Sequence, residues 1–243
     1  METNHKEVFG HECIEFNFSG RYARLILPSG PKNGKWLLKT EYADAFPALE
    51  TEMLRRGYHV AYIENITRWM KPEDVDAKND FAEFLHTEYG LSEKCVPVGM
   101  SCGGLHAVYF AAKYPERIAA LYLDAPVMNL LSCPGKVGRV SELPPTMQEL
   151  TAHTGLTYKE LINYRNHPID HAPKLLSAGL PIILVSGDAD RIVPYDENGK
   201  YLYELYKAGG GEIELIIKPG GDHHPHGLED NTPIIEFIEK NYK

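Results

Sequence analysis

Three short stretches carry side chains able to do chemistry together. The first is GMSCGG (99–104), a G-x-S-x-G pattern centred on Ser101. The second is GDADRIVP (187–194), which holds Asp188 and Asp190, and the third is GGDHHPH (220–226), with His223, His224 and His226. A serine hydroxyl is a weak nucleophile at neutral pH and needs an adjacent imidazole to take its proton. The imidazole in turn needs a carboxylate to fix its tautomer and to stabilise the imidazolium. Serine, acid and histidine follow one another here in the chain order that accompanies a nucleophile on a sharp strand-to-helix turn.

The same residues allow other chemistry. Imidazole is a common zinc ligand, yet Pro225 constrains the histidine loop, and the chain has neither an HExxH helix nor a cysteine cluster. No metal and no organic cofactor is therefore expected. Cys102 sits where a helix N-terminus would favour a thiolate, but such a turn exposes its central residue, Ser101. Cys13, Cys95, Cys102 and Cys133 form no CxxC pair and are expected to be reduced, buried thiols.

These side chains need elements to hold them. Apolar β-type runs at 22–28, 36–42, 58–63, 95–100, 118–124, 181–187 and 212–218 alternate with helical patterns at 45–57, 73–90, 103–114, 198–209 and 232–242. Strand–helix alternation implies crossover connections and a mostly parallel sheet covered on both faces. In such sheets ligands lie beyond the carboxyl ends of the strands, where the three chemical stretches all fall. Residues 125–180 break the alternation, with helical patterns near 146–153 and 157–165. They are expected to form a small cap or lid inserted in a single domain spanning 1–243.

A tetrahedral oxyanion formed at Ser101 needs two preorganised donors. The backbone N–H of Cys102 is the first. The loop after the strand at 36–42 should supply the second, from the backbone of Glu41 or Tyr42. The Glu41 carboxylate could also meet a substrate hydroxyl or ammonium, and Trp69 and Met70 could form an aromatic wall.

Composition bounds the rest. The chain has 243 residues, 43% hydrophobic and 24% charged, as in ordinary globular proteins. A formal charge of −9 argues against a nucleic-acid partner. No apolar run reaches a membrane span, and METNHKEVFGHECIEF does not read as a secretory leader. A cytoplasmic location is the expectation, although a trimmed leader would look the same. Oligomeric state cannot be read.

With these motifs in place, the chain resembles the α/β-hydrolase family over nearly its whole length, and most closely the small serine esterase and dipeptidyl-peptidase-like branches. The matching segments are GMSCGG, GDADRIVP and PGGDHHPH. The resemblance implies Ser101 as nucleophile, Asp190 as acid and His223 as general base, with His226 behind the base or facing substrate. The family loop commonly reads Pro-Gly-x-Gly-His, so Asp222 is a departure that leaves His224 open as the base. Asp124, after an earlier strand, is the competing acid. The expected activity is cleavage of a carboxylic ester through an acyl-enzyme, on an acyl or methyl ester of a carbohydrate by analogy with esterases carrying a similar histidine loop. The alternatives are a serine peptidase or amidase on short substrates, and a noncatalytic ligand-binding protein of the same fold.

Overall fold

The computed structural model describes residues 2–140 and 146–243. Among the described residues nine strands form one sheet: β1 (Thr3–Val8), β2 (His11–Phe18), β3 (Arg21–Ile26), β4 (Trp36–Lys39), β5 (His59–Ile63), β6 (Val96–Met100), β7 (Leu121–Asp124), β8 (Ile182–Gly187) and β9 (Ile213–Lys218). Their spatial order is β1-β2-β3-β5-β4-β6-β7-β8-β9. From β5 to β9 every neighbouring pair is parallel. The doubly covered strands β5, β6, β7 and β8 are buried at every position, which explains their predominantly apolar sequences.

The N-terminal end of the sheet departs from the expected pattern. β1, β2 and β3 form an antiparallel meander, and β3 joins β5 antiparallel. The sequence reading has no strands before residue 22. β1 is largely exposed and β2 half-buried, so neither carries the continuous apolar run that marks the central strands.

Helices cover both faces. α1 (Ala48–Arg55) and α8 (Thr232–Asn241) pack on one side, through residues such as Met53, Leu54, Phe237 and Ile238 against Val98, Tyr122 and Val185. On the other lie α2 (Pro72–Tyr89), α3 (Cys102–Lys113), α6 (Ala172–Ser177) and α7 (Gly199–Gly209), around Phe81, Leu105, Val108, Leu175 and Leu202. The irregular region contains α4 (Thr146–Thr154) and α5 (Tyr158–Asn163), close to the expected helices, together with α6, which was not foreseen. Residues 141–145 of this expected cap lie outside the described residues. No helix among the described residues is long and apolar enough to cross a membrane.

The strand order places the site. From β4 the chain moves to β5 on one side, and β6 then enters on the other. The loops leaving the carboxyl ends of β4 and β6 therefore diverge, and such a switch point opens a crevice. Ser101 follows β6, and Glu41 and Tyr42 follow β4.

Candidate functional site

Ser101 joins β6 directly to α3 with φ 53° and ψ −120°. A non-glycine residue at positive φ is strained by roughly 1–3 kcal/mol and persists only where its surroundings impose it. Two main-chain bonds do so: Ser101 N–H donates to Asp124 O (3.0 Å), and Val127 N–H donates to Ser101 O (2.9 Å). The flanking glycines permit the turn. A Cβ on Gly99 would lie 2.7 Å from Gly104 Cα, and one on Gly104 would lie 2.3 Å from Pro126 Cβ.

His223 Nε2 lies 3.0 Å from Ser101 Oγ, and its Nδ1 lies 2.8 Å from Asp190 Oδ2. The other carboxylate oxygen, Asp190 Oδ1, accepts the N–H groups of Ile192 (2.8 Å) and Val193 (2.7 Å). Burial works against ionisation of Asp190, but His223 and the two N–H groups outweigh it and hold the carboxyl below its ordinary value. An ionised carboxylate only accepts, so Nδ1 of His223 carries the proton and Nε2 presents a lone pair to the serine. The structure thus brings Ser101, His223 and Asp190 together in one hydrogen-bonded line.

The two open choices in the sequence separate clearly. His224 is exposed and stacks on Phe46, with ring centroids 5.6 Å apart at 16°. Asp124 meets a different imidazole: His226 Nδ1 lies 2.9 Å from Asp124 Oδ1. Asp124 Oδ2 accepts from Tyr122 Oη (2.8 Å) and Gly227 N (2.7 Å), so the carboxylate is fully engaged. Burial opposes its charge, yet His226 and the other partners keep its pKa low. For His226 the balance reverses, and burial lowers its pKa despite the carboxylate.

Asp222 also finds a reason. It forms an ion pair with Arg191, whose Nε donates to Oδ2 at 2.9 Å, and its Oδ1 accepts His223 N–H at 2.8 Å. With Arg191 beside it, the carboxyl is lowered to about 2. Where glycine would merely allow the loop, Asp222 ties it to the turn bearing Asp190. Asp188 is a turn residue and accepts Gly220 N–H at 2.7 Å. At Gly187 an added Cβ would lie 2.1 Å from Gly221 O, so the acid turn and the histidine loop pass backbone against backbone.

As the first residue of α3, Cys102 has an N–H with no intrahelical acceptor. Its thiol is buried, which pushes its pKa up to about 11. Burial and the high pKa exclude the reactive-thiolate environment that a nucleophilic cysteine needs. Neither Glu41 N–H nor Tyr42 N–H has an acceptor among the described residues. A Cβ on Gly103 would lie 3.5 Å from Glu41 N, which places this loop against the start of α3.

The expectation that the Glu41 carboxylate faces substrate is corrected. It accepts from Asn65 Nδ2 at 2.6 Å, lies 3.7 Å from His106 Nε2, and is absent from the cavity wall. Asn65 Nδ2 also donates to Thr40 O (2.7 Å), and Lys78 Nζ donates to Asn65 Oδ1 and to Asp74 O. Thr40 Oγ1 donates to Gly103 O at 2.7 Å. This buried network, which the sequence reading missed, clamps the β4 loop to α2 and α3.

A cavity of about 310 Å³ opens over Ser101. Tyr42, Phe46, Trp69, Met100, Cys133 and Ile192 line it with His223, His224 and His226, and the only charged lining side chain among the described residues is Arg68. Trp69 is in this wall as expected, whereas Met70 lines a separate cavity. Arg68 makes a bidentate pair with Glu149 of α4, with Nε to Oε1 at 3.0 Å, and Thr146 and Cys133 bring the irregular region to the cavity. Phe46 and the Arg68–Glu149 pair were not foreseen.

Known proteins resemble this chain in sequence and in fold. The mouse acylamino-acid-releasing enzyme is 25% identical over 155 residues, covering 62% of this chain and 20% of the relative. The Pyrococcus horikoshii acylaminoacyl peptidase superposes with a TM-score of 0.71 at 17% identity, covering 99% of this chain and 42% of that one. A Mycobacterium tuberculosis puromycin-hydrolyzing peptidase gives 0.69 at 14% identity, over 99% and 39%. The chain therefore spans about a fifth of the length of the curated relatives it matches. The fold is of the α/β-hydrolase type. The sequence profile of the prolyl oligopeptidase family (peptidase S9) matches residues 55–243, and this chain belongs to that family.

Proposed function

We propose that the protein is a serine peptidase or amidase that cleaves short, N-blocked substrates through an acyl-enzyme on Ser101. The observation that carries the reading is the continuous Ser101–His223–Asp190 line at 3.0 and 2.8 Å, opening on a mostly apolar cavity. His223 Nε2 takes the Ser101 proton as Oγ bonds to the carbonyl carbon. The oxyanion is held by the N–H of Cys102 and by that of Glu41 or Tyr42. His223 then passes its proton to the leaving nitrogen as the C–N bond breaks. Water repeats the sequence on the acyl-enzyme, releasing the acid and restoring Ser101, while Asp190 stays ionised throughout.

Family membership favours an amide over the sugar ester expected from the histidine loop. The relatives' names, acylamino-acid-releasing enzyme and acylaminoacyl peptidase, point to acylated amino termini. The cavity is consistent with that: no carboxylate lines it among the described residues, so a free ammonium would meet no counter-ion. Residues 125–140 and 146–180 act in this reading as a cap, held to the cavity rim by Arg68 and Glu149.

A carboxylic ester is the second reading, because the exposed His224 and the Nε2 of His226 offer polar contacts for an alcohol portion. Hydrolysis of acetyl-alanine p-nitroanilide, alanyl-alanine p-nitroanilide and p-nitrophenyl acetate by wild type and Ser101→Ala separates these readings. Serine-dependent turnover of the blocked anilide in preference to the free-amine one supports the proposal. Turnover of the ester alone would favour the second reading, and turnover surviving in Ser101→Ala would remove both.

A further inference from the structure

We propose that His223, His224 and His226 form a binding site for a divalent late transition ion such as Zn²⁺, and that its occupation inhibits the enzyme. One ligand nitrogen from each ring lies within 4.8 Å of the other two. The three rings sit mutually edge-to-face, with centroids 4.7, 4.9 and 5.2 Å apart. Two of them already have the environment of a metal-bound histidine, in which the distal N–H is held by a carboxylate. Asp190 takes the Nδ1 proton of His223, and Asp124 takes that of His226. Both Nε2 lone pairs are thereby fixed, as metal ligation requires. No hydrogen bond engages either nitrogen of His224 among the described residues, and its exposed ring is stacked on Phe46.

Tetrahedral ligands at the usual Zn–N length of ~2.1 Å stand ~3.4 Å apart. Reaching that spacing from the present span of up to 4.8 Å requires His224 to leave its stack on Phe46 and the loop tip to shift. Three nitrogens leave one coordination position for water, and imidazole sets favour zinc, copper and nickel over magnesium or calcium. Coordination uses the His223 lone pair that accepts the Ser101 proton, so ion binding and proton transfer exclude one another. The inhibitory half of the proposal rests on the reading of Ser101 and His223 above, whereas the binding half does not.

Calorimetric titration of ZnCl₂ into metal-free wild type, Ser101→Ala and His224→Gln tests the binding directly. One saturable equivalent is expected in wild type and in Ser101→Ala, which keeps all three rings. His224→Gln lies at an exposed position and should weaken binding by about tenfold or more. Absence of a saturable equivalent, or equal affinity in His224→Gln, overturns the site and assigns any bound zinc to the surface. In parallel, p-nitrophenyl acetate turnover should fall as the equivalent binds and return with EDTA. Stoichiometric binding with unchanged turnover would overturn the inhibitory half alone, while an enzyme inactive before zinc is added would count against the function and leave the site standing.

Discussion

His226 is bound to Asp124 at 2.9 Å by the same Nδ1-to-carboxylate contact that joins His223 to Asp190 at 2.8 Å. Two oriented imidazole–carboxylate pairs therefore stand side by side, with ring centroids 4.9 Å apart, and only His223 reaches the serine. A scan that looked only for a histidine beside an aspartate would find both. The Ser101 contact distinguishes them.

The first prediction follows from that contact. Ser101→Ala and His223→Ala should each lower kcat/KM by on the order of 10⁴-fold or more, and Asp190→Asn by a comparable factor. His224→Ala should lose far less. Progress curves with whichever substrate wild type turns over provide the test; a dead His224→Ala beside an active His223→Ala would reverse the assignment.

Asp124 should matter for stability first. Its buried carboxylate accepts from Tyr122, His226 and Gly227. Asp124→Ala strands those donors in the interior, and each buried donor left without a partner costs ~1–3 kcal/mol. Urea denaturation should show a matching fall in the midpoint, whereas an unchanged midpoint would mean that water replaces the carboxylate.

Asn65 should act as a positioning residue. It holds the Thr40 carbonyl and the Glu41 carboxylate, so its loss frees the loop proposed to carry the second oxyanion donor. Asn65→Ala should lower kcat by roughly 10- to 100-fold, below the 10²–10³ of deleting a donor outright, with little change in KM. A rise in KM alone would instead mark Asn65 as a substrate contact.

Acid sensitivity should come from buried histidines. Burial holds His106 well below its ordinary pKa, with the Lys78 charge adding to it and the Thr67 carbonyl opposing. His59, His167, His171 and His226 are also lowered, chiefly by burial. Below the unfolded value of about 6.5 the unfolded chain takes up protons that the folded chain refuses, so stability falls as pH drops from 7 towards 5. Asp190 and Asp124 contribute above their unfolded values and leave this window unaffected. Each such histidine adds a slope of at most about 1.4 kcal/mol per pH unit. His106→Gln should flatten the pH dependence of urea unfolding by up to that amount, and an unaltered slope would remove His106 from the account.

Much of this was legible in the sequence where a local pattern carries the geometry. β6 and α3 are read from an unbroken apolar run followed by small residues, and the turn between them from G-x-S-x-G. The acid and histidine turns follow strands in the same way. Asn65 and Lys78 show why the remainder was hidden. Lys78 looks like a solvated charge on an amphipathic helix, yet it is 1% exposed, and its partner Asn65 lies in the β5–α2 loop before the helix begins. Phe46 was hidden similarly, because its contact is with His224, far away in the sequence. The Glu41 misreading has the same origin: nothing near residue 41 announces that Asn65 claims the carboxylate.

The close pass of Gly187 against Gly221 bears on how the site can diversify. Main-chain contact, reinforced by Ala189 N–H donating to Gly221 O at 3.0 Å, sets the spacing between the acid turn and the base of the histidine loop. The tip beyond it, at 224 and 225, is exposed and takes no part in that contact. Substitutions at the tip can therefore reshape the mouth of the cavity while Asp190 and His223 keep their separation, and substrate preference becomes free to drift independently of turnover.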